Sequence, residues 1–137
     1  MITYILIIAT IFLAACTWYD YSTKNIPNWL ILIGFTIGVF INIWYLKGLN
    51  SWLVFGAIEL AFILLIIFVP EKYIGGGDLK IYAVLYAIFP SLSYLLYLIL
   101  LSSLFGYIYS VFKKKVTILF ADFILLAHII ISIYLII

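Results

Sequence analysis

Residues 52–69 read WLVFGAIELAFILLIIFV, and this run contains a single charged side chain, Glu59. A bilayer core about 30 Å thick is crossed by roughly 20 apolar helical residues, so the run is long enough to span a membrane. The whole chain has this character, since 69% of its 137 residues are hydrophobic and 9% are charged. Soluble domains are about half apolar and a quarter charged. The sequence therefore predicts a membrane protein.

Further apolar runs lie on both sides of this one, separated by short polar or helix-breaking segments. The stretch that ends at Phe112 is too long for one crossing, and Pro90 divides it because proline breaks or starts helices. We predict an all-α fold, a polytopic bundle of about six transmembrane helices in a single domain, residues 1–137. The predicted spans are approximately residues 1–18, 29–46, 52–69, 81–112 (as two helices) and 116–137.

The composition also excludes several classes of protein. Seven lysines without an arginine make too sparse a basic surface for a nucleic-acid binder. A single cysteine, Cys16, and a single histidine, His128, exclude a disulfide framework and a multi-cysteine zinc site within this chain. Chemistry is therefore expected from carboxylates or hydroxyls, with no metal or cofactor. The segment Leu13–Cys16 also resembles a lipoprotein signal, although no lysine precedes it, and the alternative is a cysteine inside a helix.

The lysines predict the orientation of the chain, because positively charged loops stay on the cytoplasmic side. Only Lys47 falls in an even-numbered predicted loop. This predicts a multi-pass protein of the cytoplasmic membrane, with both termini outside and with Asp20 and Asp78 at helix ends on the cytoplasmic face. The other lysines, all in odd-numbered loops, are Lys24, Lys72, Lys80, Lys113, Lys114 and Lys115.

Asp20 and Asp78 are the leading candidates for chemistry among the five acidic residues. Three glycines precede Asp78, which leaves room for another chain to approach closely, although Asp at a helix start is also a common N-cap. Asp20 lies where the first helix emerges, and the simpler interpretation is an ion pair with Lys24. Two carboxylates on one face provide what an aspartic protease needs, because a close pair shares one proton at neutral pH.

Two segments resemble the signature motifs of the prepilin peptidases, the type IV leader peptidase family. Asp20–Asn28 reads Asp, five residues including a basic one, then Ile-Pro-Asn, and Gly75–Lys80 reads Gly-Gly-Gly-Asp-Leu-Lys. Both occur in the expected order and at predicted cytoplasmic helix ends. The length resembles the short forms found in tight-adherence (Flp) pili and among archaeal preflagellin peptidases.

The resemblance implies an aspartic endopeptidase of the GxGD type with Asp20 and Asp78 as the catalytic pair. It makes Gly75 and Gly77 the glycines of the motif, and it places Lys24, Pro27, Asn28 and Lys80 along the approach of the substrate. Such enzymes remove the short basic leader of pilin, Flp, pseudopilin or preflagellin precursors at the cytoplasmic face. The expected partners are these precursors and the lipid bilayer, and no N-methyltransferase activity is expected.

The other polar residues leave alternatives open. Glu59 is either a protonated structural carboxylate or part of a proton path, Asp122 is either structural or an anchor for the leader, and His128 is either a neutral bonded side chain or a ligand. If several acids line one lumen, the chain is instead a small proton- or cation-coupled transporter subunit. A non-catalytic assembly partner would tolerate asparagine at both leading aspartates.

Overall fold

The structure of the chain, a computed structural model, describes residues 2–45, 49–68, 76–113 and 120–136. In these residues it contains six α-helices and no β-strand, which confirms the predicted all-α fold. Gly75, a predicted motif residue, lies outside the described residues, as do Lys47, Lys72, Lys114 and Lys115. The helices are α1 (Ile2–Thr23), α2 (Asn28–Tyr45), α3 (Leu49–Phe68), α4 (Gly76–Ile88), α5 (Leu92–Lys113) and α6 (Phe120–Ile136).

Three of the described helices are long and apolar enough to cross a membrane, over Thr3–Thr23, Asn50–Phe68 and Leu92–Phe112. Two more apolar helices are shorter, Asn28–Trp44 and Phe120–Ile136. Because the interior of a bilayer offers no hydrogen-bond partners, a helix satisfies its backbone groups within its own chain segment. The fold is that of a helical membrane protein.

Helix α1 continues five residues beyond the predicted end at Trp18, so the prediction of a loop from Tyr19 is wrong. The hydroxyls near its end bond back into the helix: Ser22 Oγ donates to the Trp18 carbonyl at 2.9 Å, and Thr23 Oγ1 donates to the Tyr19 carbonyl at 2.9 Å. These bonds let a polar segment remain helical. The helix ends where Lys24 adopts a φ of 54°, a left-handed conformation typical of a helix C-terminus.

The predicted break at Pro90 is present between α4 and α5. Helix α4 ends at Ile88 because proline has no N–H to donate to the preceding turn. Ser91 then starts α5 as an N-cap, with its side-chain Oγ accepting from the Tyr94 N–H at 3.3 Å and its carbonyl accepting from the Leu95 N–H at 3.0 Å.

The helices group into two compact units. Unit 1 comprises residues 1–26 and 91–137 and contains α1, α5 and α6, with α6 packed against both other helices. Unit 2 comprises residues 27–90 and contains α2, α3 and α4, with α4 packed against both other helices. In each unit a shorter helix therefore contacts two longer ones.

Helix α4 is the buried centre of unit 2, since every residue from Ile81 to Ile88 is buried. Its last turn lies against α2: a Cβ on Gly38 would lie 2.6 Å from the Ala87 carbonyl carbon, so only glycine permits this approach. Asn42, fully buried on α2, donates through Nδ2 to the Ala87 carbonyl at 2.6 Å. This bond satisfies a carbonyl that lacks a partner in its own helix, since helix C-termini leave carbonyls unpaired.

Candidate active site

Asp78 lies in the first turn of α4, directly after Gly76 and Gly77, and is half-buried. A carboxylate in the first turn of a helix is stabilised by the positive end of the helix dipole and by the unpaired N–H groups there. The residue thus stands at the start of the helix on which unit 2 is built. Its position at a helix start agrees with the sequence interpretation.

The two signature segments meet within unit 2 through Asn28 and Lys80. Lys80 Nζ donates to Asn28 Oδ1 at 3.0 Å, although the two residues are 52 positions apart in the chain. Asn28 is the first residue of α2, where the carbonyl of Pro27 accepts from the Leu30 N–H at 3.0 Å. The first turns of α2 and α4 are therefore neighbours. Asn42 and Ala87 meet further along the same helices, so α2 and α4 run parallel.

The bond between Asn28 and Lys80 predicts a measurable coupling. In a double-mutant cycle of Asn28→Ala and Lys80→Met, we expect the free energies of unfolding to be non-additive by about 0.5–1.5 kcal/mol, near the lower value because the bond is exposed. The measurement is denaturant unfolding in detergent micelles. Thr36→Val combined with Lys80→Met is the control, because Thr36 Oγ1 bonds only to Leu32 of its own helix in the described contacts. Additive Asn28 and Lys80 effects would contradict the prediction.

Asp20 lies near the end of α1 in unit 1, and its carboxylate is half-buried against the start of α6. The backbone N–H of Ala121 and the carboxylate of Asp122 are both near enough to act on this carboxylate electrostatically, the N–H favourably and the second carboxylate unfavourably. Asp122 is in the first turn of α6 as described from Phe120. The start of α6 therefore provides a favourable dipole for Asp20 and also a competing negative charge.

The structure thus brings Asp20 together with Asp122 in unit 1, and Asn28 together with Lys80 in unit 2. The pairing of Asp20 with Asp78 remains a prediction. Lys24 is exposed, and its backbone N–H donates to the Asp20 carbonyl at 3.0 Å, which closes the last turn of α1. The contact of Asp20 with α6 was missed by the sequence analysis, because no pattern in an evenly apolar helix shows which neighbour it packs against.

Each unit also contains a further buried ionisable residue, Glu59 in unit 2 and His128 in unit 1. Glu59 on α3 is 6% exposed and interacts electrostatically with Tyr86 on α4, and its Oε1 has no hydrogen-bond partner among the described residues. His128 on α6 is fully buried and hydrogen-bonded, which agrees with the first of the two interpretations, a bonded side chain. No group of three His, Cys, Asp or Glu side chains in the described part of the chain could hold a metal ion.

Together, the fold and the motifs define a class of protein. It is a helical membrane protein with one carboxylate near the C-terminus of α1 and another in the first turn of α4. Comparison with protein families gives a match to the type IV leader peptidase family over residues 7–111, which include both signature segments. The chain belongs to that family. Neither the curated proteins nor the solved structures gave a match. The family match confirms the resemblance and makes the chain a leader peptidase-like protease.

Proposed function

We propose that this chain is an aspartic endopeptidase that removes the short basic leader of type IV prepilin-like precursors, with Asp20 and Asp78 as its catalytic pair. The observation that carries the proposal is the family match across both signature segments. The hydrogen bond from Lys80 to Asn28 supports it, since the second segment is bonded to the end of the first.

The proposed reaction needs only the two carboxylates and a water molecule. The ionised aspartate takes a proton from the water, whose oxygen attacks the scissile carbonyl carbon, while the protonated aspartate donates its proton to the carbonyl oxygen. The tetrahedral diol then collapses: the C–N bond breaks, and the leaving amine takes the proton that the first aspartate received from water. A hydroxyl of the diol gives its proton to the second aspartate, which restores the starting pair. No covalent intermediate forms. Two like charges held close together share one proton, so the pair supplies both the acid and the base.

The lysine distribution supports a cytoplasmic position for the reaction. The proposed protein crosses the cytoplasmic membrane several times, with the loops that carry Asp20 and Asp78 inside. A basic leader stays on that side by the same rule, so the precursor presents its cleavage site where the aspartates are. The glycines before Asp78 leave space for the extended backbone of the substrate.

Membranes containing the protein are expected to shorten a type IV prepilin-like precursor by its leader. Mass spectrometry of the product locates the cut, which we expect at the junction between the basic leader and the apolar helix. Membranes with the same amount of Asp78→Asn are the control. If several such precursors stay intact in membranes where the protein is folded, the proposed function is wrong, and ion or proton transport becomes the next assay.

A further inference from the structure

Helix α6 (Phe120–Ile136) lies beyond the segment that matches the family, residues 7–111, yet it contacts α1 at two separate points. One point is deep in unit 1, around His128, and the other is at the start of α6, around Ala121. We propose that α6 is a positioning element of the peptidase, which holds the carboxylate of Asp20 in one place and orientation. This inference rests on the proposed function, because it assigns Asp20 to the catalytic pair.

The deep contact is a chain of hydrogen bonds through His128. Thr10 Oγ1 on α1 lies 2.9 Å from His128 Nε2 and donates its own proton to the Leu6 carbonyl at 2.8 Å. Nε2 also lies 3.3 Å from the Leu6 carbonyl, which can only accept, and 3.3 Å from Ser132 Oγ on the next turn of α6. We therefore assign the ring hydrogen to Nε2. The second nitrogen, Nδ1, then accepts from the Tyr94 hydroxyl on α5. A neutral imidazole has one donor and one acceptor, and this arrangement satisfies both.

This chain of bonds is suited to fixing helices and not to carrying protons. It ends at the Leu6 carbonyl, which accepts a hydrogen bond but has no proton to pass on. The bonds join three helices, because Leu6 and Thr10 belong to α1, Tyr94 to α5 and His128 to α6. Buried polar networks whose members are all satisfied rigidify a core and specify one arrangement of it. His128 therefore sets the register of α1 against α6.

The second contact, at Ala121, fixes the position of Asp20 once the register of the two helices is set. Asp20 is ten residues beyond Thr10 on α1, and Ala121 is seven residues before His128 on α6, so the two helices run antiparallel between the contacts. Ala121 is fully buried, and its backbone N–H is near enough to the Asp20 carboxylate to stabilise it. Two contacts this far apart fix both the sliding and the rotation of one helix on the other.

A fixed carboxylate matters for the reaction because proton transfer depends on its distance and angle to water and substrate. A displacement of about 1 Å in a catalytic group can cost on the order of 100-fold in rate. The N–H of Ala121 stabilises the Asp20 carboxylate from the side of α6. Loss of this N–H is expected to lower kcat, while KM stays nearly the same because Ala121 is fully buried and its side chain is not accessible to the leader.

The direct test is Ala121→Pro compared with Ala121→Val. Proline removes the N–H and is tolerated in the first turn of a helix, whereas valine keeps the N–H and adds the same number of heavy atoms. We expect Ala121→Pro to have a kcat lower than that of Ala121→Val by roughly 10- to 100-fold, with KM values within about twofold. Equal kcat values for the two variants would overturn the inference.

The single histidine supplies a readout that is independent of activity. Protein labelled with ¹⁵N-histidine in lipid bilayers gives signals from His128 alone. We expect one protonated and one unprotonated ring nitrogen at neutral pH, with the proton on Nε2. If Ala121→Pro keeps this spectrum, its fall in kcat comes from the lost N–H and not from misfolding. A proton on Nδ1, or on both nitrogens, would overturn the assigned register contact.

If Ala121→Pro does not fold, a second pair of variants at His128 tests the deep contact instead. His128→Gln keeps a side-chain N–H donor for Thr10, and His128→Leu keeps the bulk without a donor. Rescue of kcat by glutamine relative to leucine, at similar KM, supports the inference, and equal kcat values overturn it. These comparisons require that the wild-type protein cleaves a precursor. If the wild type cuts no precursor, the proposed function has failed. The histidine spectrum does not depend on cleavage, so it still decides whether His128 sets the register of α1 against α6.

Discussion

Replacing Asp20 or Asp78 by asparagine is expected to lower the rate of leader removal by about 10²–10⁴-fold, the usual contribution of general acid–base catalysis. Asparagine keeps the size and shape of aspartate, but it cannot exchange a proton at neutral pH. Because the pair shares one proton, each replacement removes either the acid or the base. The measurement is the initial rate of precursor cleavage at equal amounts of folded protein.

Asp122→Asn separates this dyad from an alternative pair. Asp122 is the carboxylate that acts on Asp20 within unit 1, so it is the natural rival of Asp78. We expect Asp122→Asn to retain cleavage within about tenfold of wild type, since a nearby charge contributes much less than a proton donor. If Asp122→Asn loses cleavage as fully as Asp20→Asn while Asp78→Asn cuts normally, the assignment of Asp78 is wrong and the working pair is Asp20 with Asp122.

Gly38→Ala is expected to destabilise unit 2 strongly, because the added methyl group would overlap the backbone of α4. A Cβ there would lie 2.6 Å from the Ala87 carbonyl carbon and 2.8 Å from its carbonyl oxygen and Cβ. The backbone of α4 cannot move aside cheaply, because α4 is buried and also packed against α3. Overpacking of this kind costs about 1–3 kcal/mol. The expected result is a lower midpoint of thermal unfolding in detergent, measured by circular dichroism.

Gly56→Ala is the matched control for this prediction. Gly56 lies within α3, and a Cβ added to it would meet no atom of the described chain within 4 Å. Alanine is the better helix former, so we expect an unchanged or slightly raised midpoint, by up to about 1 kcal/mol of stability. Equal destabilisation by the two substitutions would mean that helix packing at Gly38 is not as close as described.

Much of the fold is predictable from the sequence because lipid imposes simple requirements. The apolar runs predict six helices, and their breaks at Pro27 and Pro90 agree with the structure to within a few residues. The end of α1 was predicted too early, because Ser22 and Thr23 were interpreted as loop residues although their hydroxyls bond within the helix. Polar residues at a membrane edge do not by themselves end a helix.

The candidate site, like the fold, was predictable from the sequence only in part. The motifs gave Asp20, Asp78, Asn28 and Lys80 as site residues, because their chemistry and order are visible in the chain. That Asn28 accepts from Lys80, and that Asp20 meets the first turn of α6, required the packed helices. Sequence separation conceals such contacts: Thr10 and His128 are 118 positions apart in the chain, yet the two share a hydrogen bond.

By itself, the sequence determined that this chain is a helical membrane protein, where its helices begin and end approximately, and which carboxylates merit attention. Only the tertiary structure decided which helices pack together and which polar atoms meet. The physical reason is that lipid is as apolar as the protein interior, so the lipid-facing and buried sides of these helices carry the same kinds of residues. Leu32 and Leu98 differ only in that the first is 66% exposed and the second fully buried. Close approach at Gly38 and hydrogen bonds at Asn42 and His128 select one packing among many apolar ones.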